Sequence, residues 1–326
     1  MTEPQAHPAR VAVVGCGNVG ATFAYALLLS GLASEIVLID YNRQKAEGEA
    51  MDLAHTEPFA HPTRIWAGDY PDTAGAIVTV IAAGVGQKPG ETRLDLVKRN
   101  AEVMRQIVPQ IARHNPDGII LMTTNPVDVL TYAAWKYSGL PPRRVFGSGT
   151  ILDTARFRYL LSQYFHVDAR SIHAHIIGEH GDSEVPVWSL ANIGGMKLPA
   201  FCAAHGIDYR QDDMDEIFQQ TRDAAYHIIK RKGATYYAVA AGLMRIVEAI
   251  LRDQSTVLSL SSLVENYCGI SDVCLSLPTI VNRSGVERVL RLDLSQEEVG
   301  GLRNSAGILK QTIAQLSLVE QADRAA

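Results

Sequence analysis

The 326-residue sequence lacks several features that would place it in a specialised class of protein. Its longest apolar stretch near the N-terminus, ATFAYALLLSGL, has about a dozen residues, whereas a membrane-spanning helix needs roughly 20. The first ten residues, MTEPQAHPAR, have no apolar core of the kind that a signal peptide requires. No basic tract interrupts a chain whose net charge is −5, which disfavours binding to nucleic acid. We expect a cytoplasmic protein without a membrane or nucleic-acid partner.

Cysteine is also scarce and shows no pattern. The four cysteines have no C-x-x-C spacing, so the sequence predicts neither a zinc site nor a disulfide framework. A reducing compartment is the simplest setting for such a chain. The cysteines are Cys16, Cys202, Cys268 and Cys274.

Short apolar runs alternate with longer helical segments over residues 11–149. Runs such as RVAVVG, EIVLID and GIILMTTN are continuously apolar, which is typical of parallel strands covered on both faces. We therefore predict a doubly wound α/β domain with a mainly parallel sheet. Residues 1–10 are predicted to form a flexible N-terminal extension before it.

A different pattern follows over residues 150–326, which we predict to form an α+β substrate-binding domain. LDTARFRYLLSQYF is helical, and a long helical region from about residue 211 to 253 is interrupted at Gly233. VLSLSSLV, DVCLSLPTIV and GVERVLRLDL have the composition of strands. Ser295 and Glu298 form the pattern of a capping box that opens a last helix.

A dinucleotide fingerprint, VAVVGCGNVG, joins the first strand to the first helix. Gly15 permits a tight turn, Gly17 lets the backbone approach a pyrophosphate, and Gly20 allows close packing of helix and strand. Asp40 ends the next strand and suits a ribose 2′-hydroxyl, while its charge would repel a 2′-phosphate. The pattern predicts a Rossmann domain that binds NAD rather than NADP.

Four further segments carry polar residues beside apolar strands: GVGQKPGETRLDL, TTNPVDVL, LDTARFRYL and IIGEHGDSE. Together with the GCGNVG loop, and in this order, they resemble the L-lactate/malate dehydrogenase family, and within it the bacterial lactate-type members. The resemblance runs from Val11 to about Leu318 and implies hydride transfer between NAD and a 2-hydroxy acid. It also implies further cofactor contacts at Val19, Lys45, Tyr70, Gly84, Val85, Asn125 and Ser148.

The proton-transfer group implied by the resemblance is His180. Histidine has a pKa near working pH, which suits general acid–base catalysis, although GEHG alone would fit a surface loop equally well. Asp153 matches the acid that orients this histidine. Arg156 lies three residues on, on the same helix face, and matches the anchor of the substrate carboxylate. Taken alone, this Asp–Arg pair would fit an ordinary surface ion pair of a helix.

Four other residues are implied to contact the substrate. Arg93 matches the arginine of a lid loop that closes to polarise the reacting carbonyl. Gln87 is uncharged where malate-reducing members carry an arginine, which favours pyruvate and lactate over oxaloacetate and malate. Asn125 matches a residue between nicotinamide and substrate, and Thr235 one beside the methyl end of the substrate.

A second anion site is implied by Arg158 and His173. Arg158 is two residues after Arg156 and points away from it on a helix. Bacterial family members activated by fructose 1,6-bisphosphate carry an arginine and a histidine at these positions, across an interface of a homotetramer. We expect His173 and His175 to share one face of a strand, with His180 beyond its end. His175 has no predicted role.

Three alternative functions fit these residues less well. A malate dehydrogenase of the same fold is disfavoured by Gln87. An NAD-dependent glycosidase would need a metal held by cysteine and histidine, and no cysteine lies close to the histidines in sequence. A catalytically silent NAD-binding protein would not need His180, Asp153, Arg156 and Arg93 together.

Overall fold

The computed structural model describes residues 9–86, 90–316 and 318. The first half alternates strands and helices, as the apolar runs predicted. Its elements are β1 (Arg10–Val14), α1 (Asn18–Ser30), β2 (Glu35–Ile39), α2 (Arg43–Thr56), β3 (Arg64–Ala67), β4 (Val78–Ile81), α3 (Arg93–His114), β5 (Ile119–Met122), α4 (Val127–Ser138) and β6 (Val145–Gly147).

The second half mixes helices with short and long strands. Gly233 ends α7, and a capping box of Ser295 and Glu298 opens α9, both as predicted. The elements are α5 (Ile151–Phe165), β7 (Ile172–His173), β8 (Ile176–Ile177), β9 (Val185–Pro186), β10 (Asn192–Ile193), β11 (Met196–Lys197), α6 (Leu198–His205), α7 (Gln211–Lys232), α8 (Tyr237–Leu251), β12 (Thr256–Val264), β13 (Val273–Asn282), β14 (Gly285–Val289) and α9 (Gln296–Ala314).

One nine-stranded sheet, in the order β14-β13-β12-β6-β5-β4-β1-β2-β3, runs through the molecule. Strands β1 to β6 pair in parallel, which confirms the doubly wound arrangement. β12 continues the sheet antiparallel to β6, with Ser261 opposite Gly147. Arg10 is the first residue of β1 rather than the last of an extension, and its Nε donates to Glu35 at 2.7 Å.

Helices cover both faces of this sheet and form two apolar cores. On one face α3, α4 and α9 supply buried side chains such as Met104, Leu130 and Leu302. On the other face α1, α2 and α8 supply buried side chains such as Phe23 and Ile250. The strand order changes direction between β1 and β4, and ligands of doubly wound sheets bind at the carboxyl ends of the strands flanking such a point.

The strand expected through His173 and His175 is divided into two. β7 pairs with β10 and β8 pairs with β9, in separate sheets. The chain leaves the first sheet because two carbonyls between these strands are bonded elsewhere. The carbonyl of Ala174 accepts a hydrogen bond from the Arg158 side chain, and the carbonyl of His175 accepts one from the amide of Val187. None of the helices in the described part of the chain is long and apolar enough to cross a membrane.

Candidate active site

The glycine loop after β1 has the shape of a phosphate cradle. Gly15 adopts a φ of +99°, and a Cβ there would lie 2.4 Å from the amide nitrogen of Ala83. A Cβ on Gly20 would lie 1.9 Å from the carbonyl oxygen of Gly15, whereas nothing lies within 4 Å of one on Gly17. The N-cap residue of α1 is Gly17, which offers no side-chain cap. The free N–H groups of this helix N-terminus and the open space over Gly17 therefore fit a pyrophosphate.

Asp40 is held beside this loop by backbone bonds. Its Oδ2 accepts the amide of Cys16 at 2.7 Å, and its Oδ1 accepts the amide of Asn42 at 2.8 Å. Burial, helped by the charge of Asp40, raises the pKa of the Cys16 thiol to about 12, so this cysteine stays a neutral side chain. A fixed carboxylate next to a glycine loop fits the ribose end of a dinucleotide.

The remaining predicted cofactor residues divide into two groups. Gly84 and Val85 follow β4, Asn125 follows β5 and Ser148 follows β6, so these four lie at the carboxyl edge of neighbouring strands. The other three lie on α1, on α2 and in a short helical turn after β3, respectively: Val19, Lys45 and Tyr70.

Asn100, which sequence reasoning missed, joins two of these loops. It is 1% exposed on α3. Its Oδ1 accepts the amide of Val85 at 2.8 Å, and its Nδ2 donates to the carbonyl of Asn125 at 3.3 Å. Its two partners are backbone groups, which the sequence does not identify. The one indication in the sequence was a polar asparagine on an otherwise apolar face of the helix.

His180 and Asp153 form a close pair. Asp153 lies in the first turn of α5 and is 3% exposed, and its Oδ2 lies 2.5 Å from Nδ1 of His180. Burial alone would lower the pKa of His180, but the charge of Asp153 outweighs burial and raises the pKa to about 9. Burial would raise the pKa of Asp153, yet His180 and Arg156 hold it below its usual value. Because Nδ1 is bonded, Nε2 is the nitrogen left for a ligand.

Arg156 completes this cluster from the next turn of α5. Its guanidinium donates to Oδ1 of Asp153 at 3.0 Å, and its side chain is 12% exposed. The pair is therefore buried rather than the surface ion pair that the spacing alone would allow. His180, Asp153, Arg156, Asn125 and Arg93 all line one cavity of about 540 Å³.

Arg93 stands at the rim of the cavity, as the first residue of α3. Its side chain is 76% exposed. It donates to Oδ2 of Asp182 at 2.8 Å and to the hydroxyl of Tyr226 at 3.1 Å, and that hydroxyl donates to Oδ1 of Asp182 at 2.8 Å. Asp182 raises the pKa of Arg93, so the guanidinium stays charged.

Two predicted substrate residues are not among the described residues that line this cavity. Gln87 lies outside the described residues. Thr235 is half-buried in the segment between α7 and α8 and is not among the described residues that line the cavity.

Arg158 and His173 lie apart from the cavity. Nε of Arg158 donates to the carbonyl of Ala174 at 3.0 Å, and burial lowers the pKa of Arg158. His173 is exposed at the end of β7. His175 lies near both residues. Its burial, and to a lesser extent the charges of Arg158 and His173, lower the pKa of His175 to about 4. Arg158, His173 and an uncharged His175 thus share a region outside the cavity.

Comparison with known proteins matches both halves of the chain to one family. Residues 9–147 match the family model described as lactate/malate dehydrogenase, NAD binding domain, and residues 150–318 match lactate/malate dehydrogenase, alpha/beta C-terminal domain. The chain belongs to the lactate/malate dehydrogenase family. It is accordingly an NAD-dependent oxidoreductase, and the resemblance seen in the sequence motifs is confirmed.

Curated relatives and solved structures cover nearly the whole chain. L-lactate dehydrogenase of Priestia megaterium is 56% identical over 93% of this chain and 95% of the relative. That of Acetivibrio thermocellus is 54% identical over 95% of this chain and 98% of the relative. A lactate dehydrogenase from a Medee basin deep-sea metagenome superposes with a TM-score of 0.93 at 45% identity, covering 96% of this chain and 100% of the other.

Two more residues that sequence reasoning missed surround His180 in this family member. Asp128, on α4, is 1% exposed and accepts the amide of His180 at 2.7 Å through Oδ2. Burial raises its pKa to about 6. Glu184, on the loop after His180, is 7% exposed and lines the cavity. In the sequence both are acidic residues next to a valine. This neighbour is only a weak indication of burial, because most acidic residues in proteins are exposed.

Proposed function

We propose that this family member is an L-lactate dehydrogenase, which interconverts pyruvate and (S)-lactate with NAD as the cofactor. The observation that carries the proposal is the cavity in which His180, Asp153 and Arg156 meet beside the strand ends of the dinucleotide fold. The relatives in Priestia megaterium and Acetivibrio thermocellus, named L-lactate dehydrogenases, support it. Such a reaction belongs to fermentation of pyruvate after glycolysis, in the cytoplasm.

The glycine loop and Asp40 would hold NAD, the pyrophosphate against the N-terminus of α1 and the ribose hydroxyls on the carboxylate. Bound NAD supplies the nicotinamide that exchanges a hydride with the substrate. The Asp40 charge disfavours a 2′-phosphate. We assign the lesser cofactor contacts to Val19, Lys45, Tyr70, Gly84, Val85, Asn125 and Ser148. We also propose that the chain divides functionally near residue 149, into cofactor and substrate domains.

His180 is the proposed proton donor and acceptor. Its pKa of about 9 keeps it protonated near neutral pH, so it is ready to give the Nε2 proton to the carbonyl oxygen of pyruvate. Asp153 stays ionised, fixes the ring through Nδ1 and stabilises the imidazolium. In the reverse direction a neutral His180 takes the hydroxyl proton of lactate, so lactate oxidation is favoured by higher pH.

Arg156 and Arg93 are the proposed electrostatic groups. Arg156 is buried next to His180 and can bind the substrate carboxylate through two parallel hydrogen bonds. Arg93 would leave Asp182 and Tyr226 and move inward, where it polarises the carbonyl. The exposure of Arg93 makes that movement possible, because exposed ion pairs are weak.

We infer a preference for pyruvate over oxaloacetate from uncharged Gln87, with Thr235 beside the methyl end of the substrate. Following NADH absorbance with each 2-oxo acid tests the proposal. Pyruvate-dependent oxidation supports it. A preference for oxaloacetate would indicate a malate dehydrogenase, and no turnover with either would indicate a protein that only binds NAD.

We further propose a homotetramer activated by fructose 1,6-bisphosphate at Arg158 and His173. The supporting observation is that Arg158 and His173 both lie near enough to His175 to lower its pKa, so two basic side chains lie close together outside the cavity, where one anion can bind both. Titrating pyruvate saturation with and without the bisphosphate tests it, with sedimentation to follow assembly. An unchanged KM and no tightening of assembly would contradict it. R158Q should remove any activation that the wild type shows.

A further inference from the structure

Glu184 is a buried acid that the mechanism above does not use. It is 7% exposed and lines the substrate cavity, and no residue that the structure describes forms a hydrogen bond with its Oε1. Its own amide donates to the carbonyl of Gly181 at 3.1 Å, and β9 begins at the next residue, Val185. Backbone bonds therefore hold the chain on both sides of Glu184.

The charged neighbours of Glu184 come from three elements. Asp153 and Arg156 face it from α5, His180 from its own loop and Arg222 from α7. The described residues of α9 and its C-cap that line the cavity do not titrate: Ile308, Thr312 and Gln315. Among residues 9–86, 90–316 and 318, no cation lies within ion-pair distance of this carboxyl group.

A buried carboxyl group without an ion pair is far more stable protonated than ionised. Burial first, and then the negative charge of Asp153, raise the pKa of Glu184 to about 9. At neutral pH the group is therefore an uncharged carboxylic acid. This state also explains how the cavity tolerates it so close to ionised Asp153.

The protonation of Glu184 decides the net charge of the cavity lining. With His180 protonated, four side chains are positive: Arg93, Arg156, His180 and Arg222. Three others are negative: Asp153, Glu179 and Asp182. Among the described residues, the lining carries one net positive charge while Glu184 is neutral, and none once Glu184 ionises. One positive charge balances the single carboxylate of a monocarboxylate ligand. It would leave the second carboxylate of a dicarboxylate ligand unbalanced.

We propose that Glu184 is a specificity-determining residue, whose uncharged carboxylic acid keeps the net charge of the described cavity lining at +1 and so admits a substrate with one carboxylate. Ionisation of Glu184 would place a second anion beside Arg156 and weaken substrate binding. The role rests on the proposed function, because it concerns binding of a 2-oxo monocarboxylate at Arg156. The protonation state itself can be measured without any substrate.

Infrared difference spectroscopy of the protein without substrate is the first test. At about pH 7.5, wild type minus E184Q should show the carbonyl stretch of a protonated carboxylic acid. Wild type minus D182N is the matched control on the same loop and should show carboxylate bands but no band of a protonated acid, since Arg93 lowers the pKa of Asp182. The acid band should vanish in wild type above about pH 9. A carboxylate band for Glu184 at neutral pH would overturn the proposal.

The second test is the pH dependence of KM for pyruvate. Wild-type binding needs two protons, on His180 and on Glu184, so KM should rise by up to about a hundredfold per pH unit above about pH 9. E184Q needs one, so its KM should rise about tenfold per pH unit. Equal slopes would overturn the proposal. A wild type that does not reduce pyruvate would instead overturn the proposed function, while the infrared result would still report on Glu184.

Discussion

Replacing Asp153 with asparagine should shift the working pH range of the enzyme. The substitution keeps the size of the side chain and removes the charge that holds His180 protonated. The rise of the His180 pKa from 6.5 to about 9 corresponds to about 3 kcal/mol of preference for the imidazolium. The imidazole is 22% exposed, so solvent screens this interaction only in part. With the charge gone, burial remains and should bring the pKa to about 6.5 or below.

The consequence for pyruvate reduction follows from the protonated fraction. At about pH 7.5 nearly all His180 is protonated in wild type, but about a tenth or less in D153N. We expect kcat/KM for pyruvate to fall at least about tenfold from this cause alone, and to recover partly at about pH 5.5. NMR titration of the His180 ring would give the pKa directly. D168N removes an exposed carboxylate paired with Arg170 and serves as the equal-charge control.

The reasoning would be refuted by a D153N profile that still declines near pH 9. That outcome would mean that Asp153 does not set the pKa of His180, and that Asp128 or another group does.

Three further substitutions test the cofactor cradle and the two arginines. G20A should abolish NADH binding and lower Tm, because the added Cβ would meet the carbonyl oxygen of Gly15. G48A is the control on α2, where nothing lies within 4 Å of an added Cβ, so it should keep NADH binding and raise stability slightly. Calorimetry measures the NADH affinity of each variant, and equal affinities would refute the clash. R156K should raise KM for pyruvate far more than it lowers Tm, since lysine cannot bind a carboxylate in parallel; an unchanged KM would remove Arg156 from the site. R93Q should lower kcat and leave Tm nearly unchanged. A large drop in Tm together with the drop in kcat would show that Arg93 has a structural role instead.

Much of the fold was predictable from the sequence. The continuous apolar runs predicted parallel strands, and glycines marked the tight turn at Gly15 and the end of α7 at Gly233. The pairing of β12 with β6 into the same sheet was not predictable, because strand composition does not name a partner. The division of the strand through His173 and His175 was also missed, since it depends on a side-chain bond from Arg158 to a backbone carbonyl.

The candidate site was predictable as a set of residue types in a family order. Helical spacing placed Asp153 and Arg156 on one face, and the structure joins them. Spacing could not show that Arg93 lies bonded to Asp182 at the rim, because residues far apart in sequence meet only through the fold. Nor could it show that Asp128 and Glu184 are buried, which is a property of packing.

The proton-transfer role of His180 is the central claim, and H180Q tests it most directly. Single-turnover oxidation of bound NADH by saturating pyruvate should be about a hundredfold to ten-thousandfold slower in H180Q than in wild type. NADH affinity should be retained, since the glycine loop and Asp40 are untouched. A single-turnover rate close to that of wild type would contradict the account and assign the proton to another group.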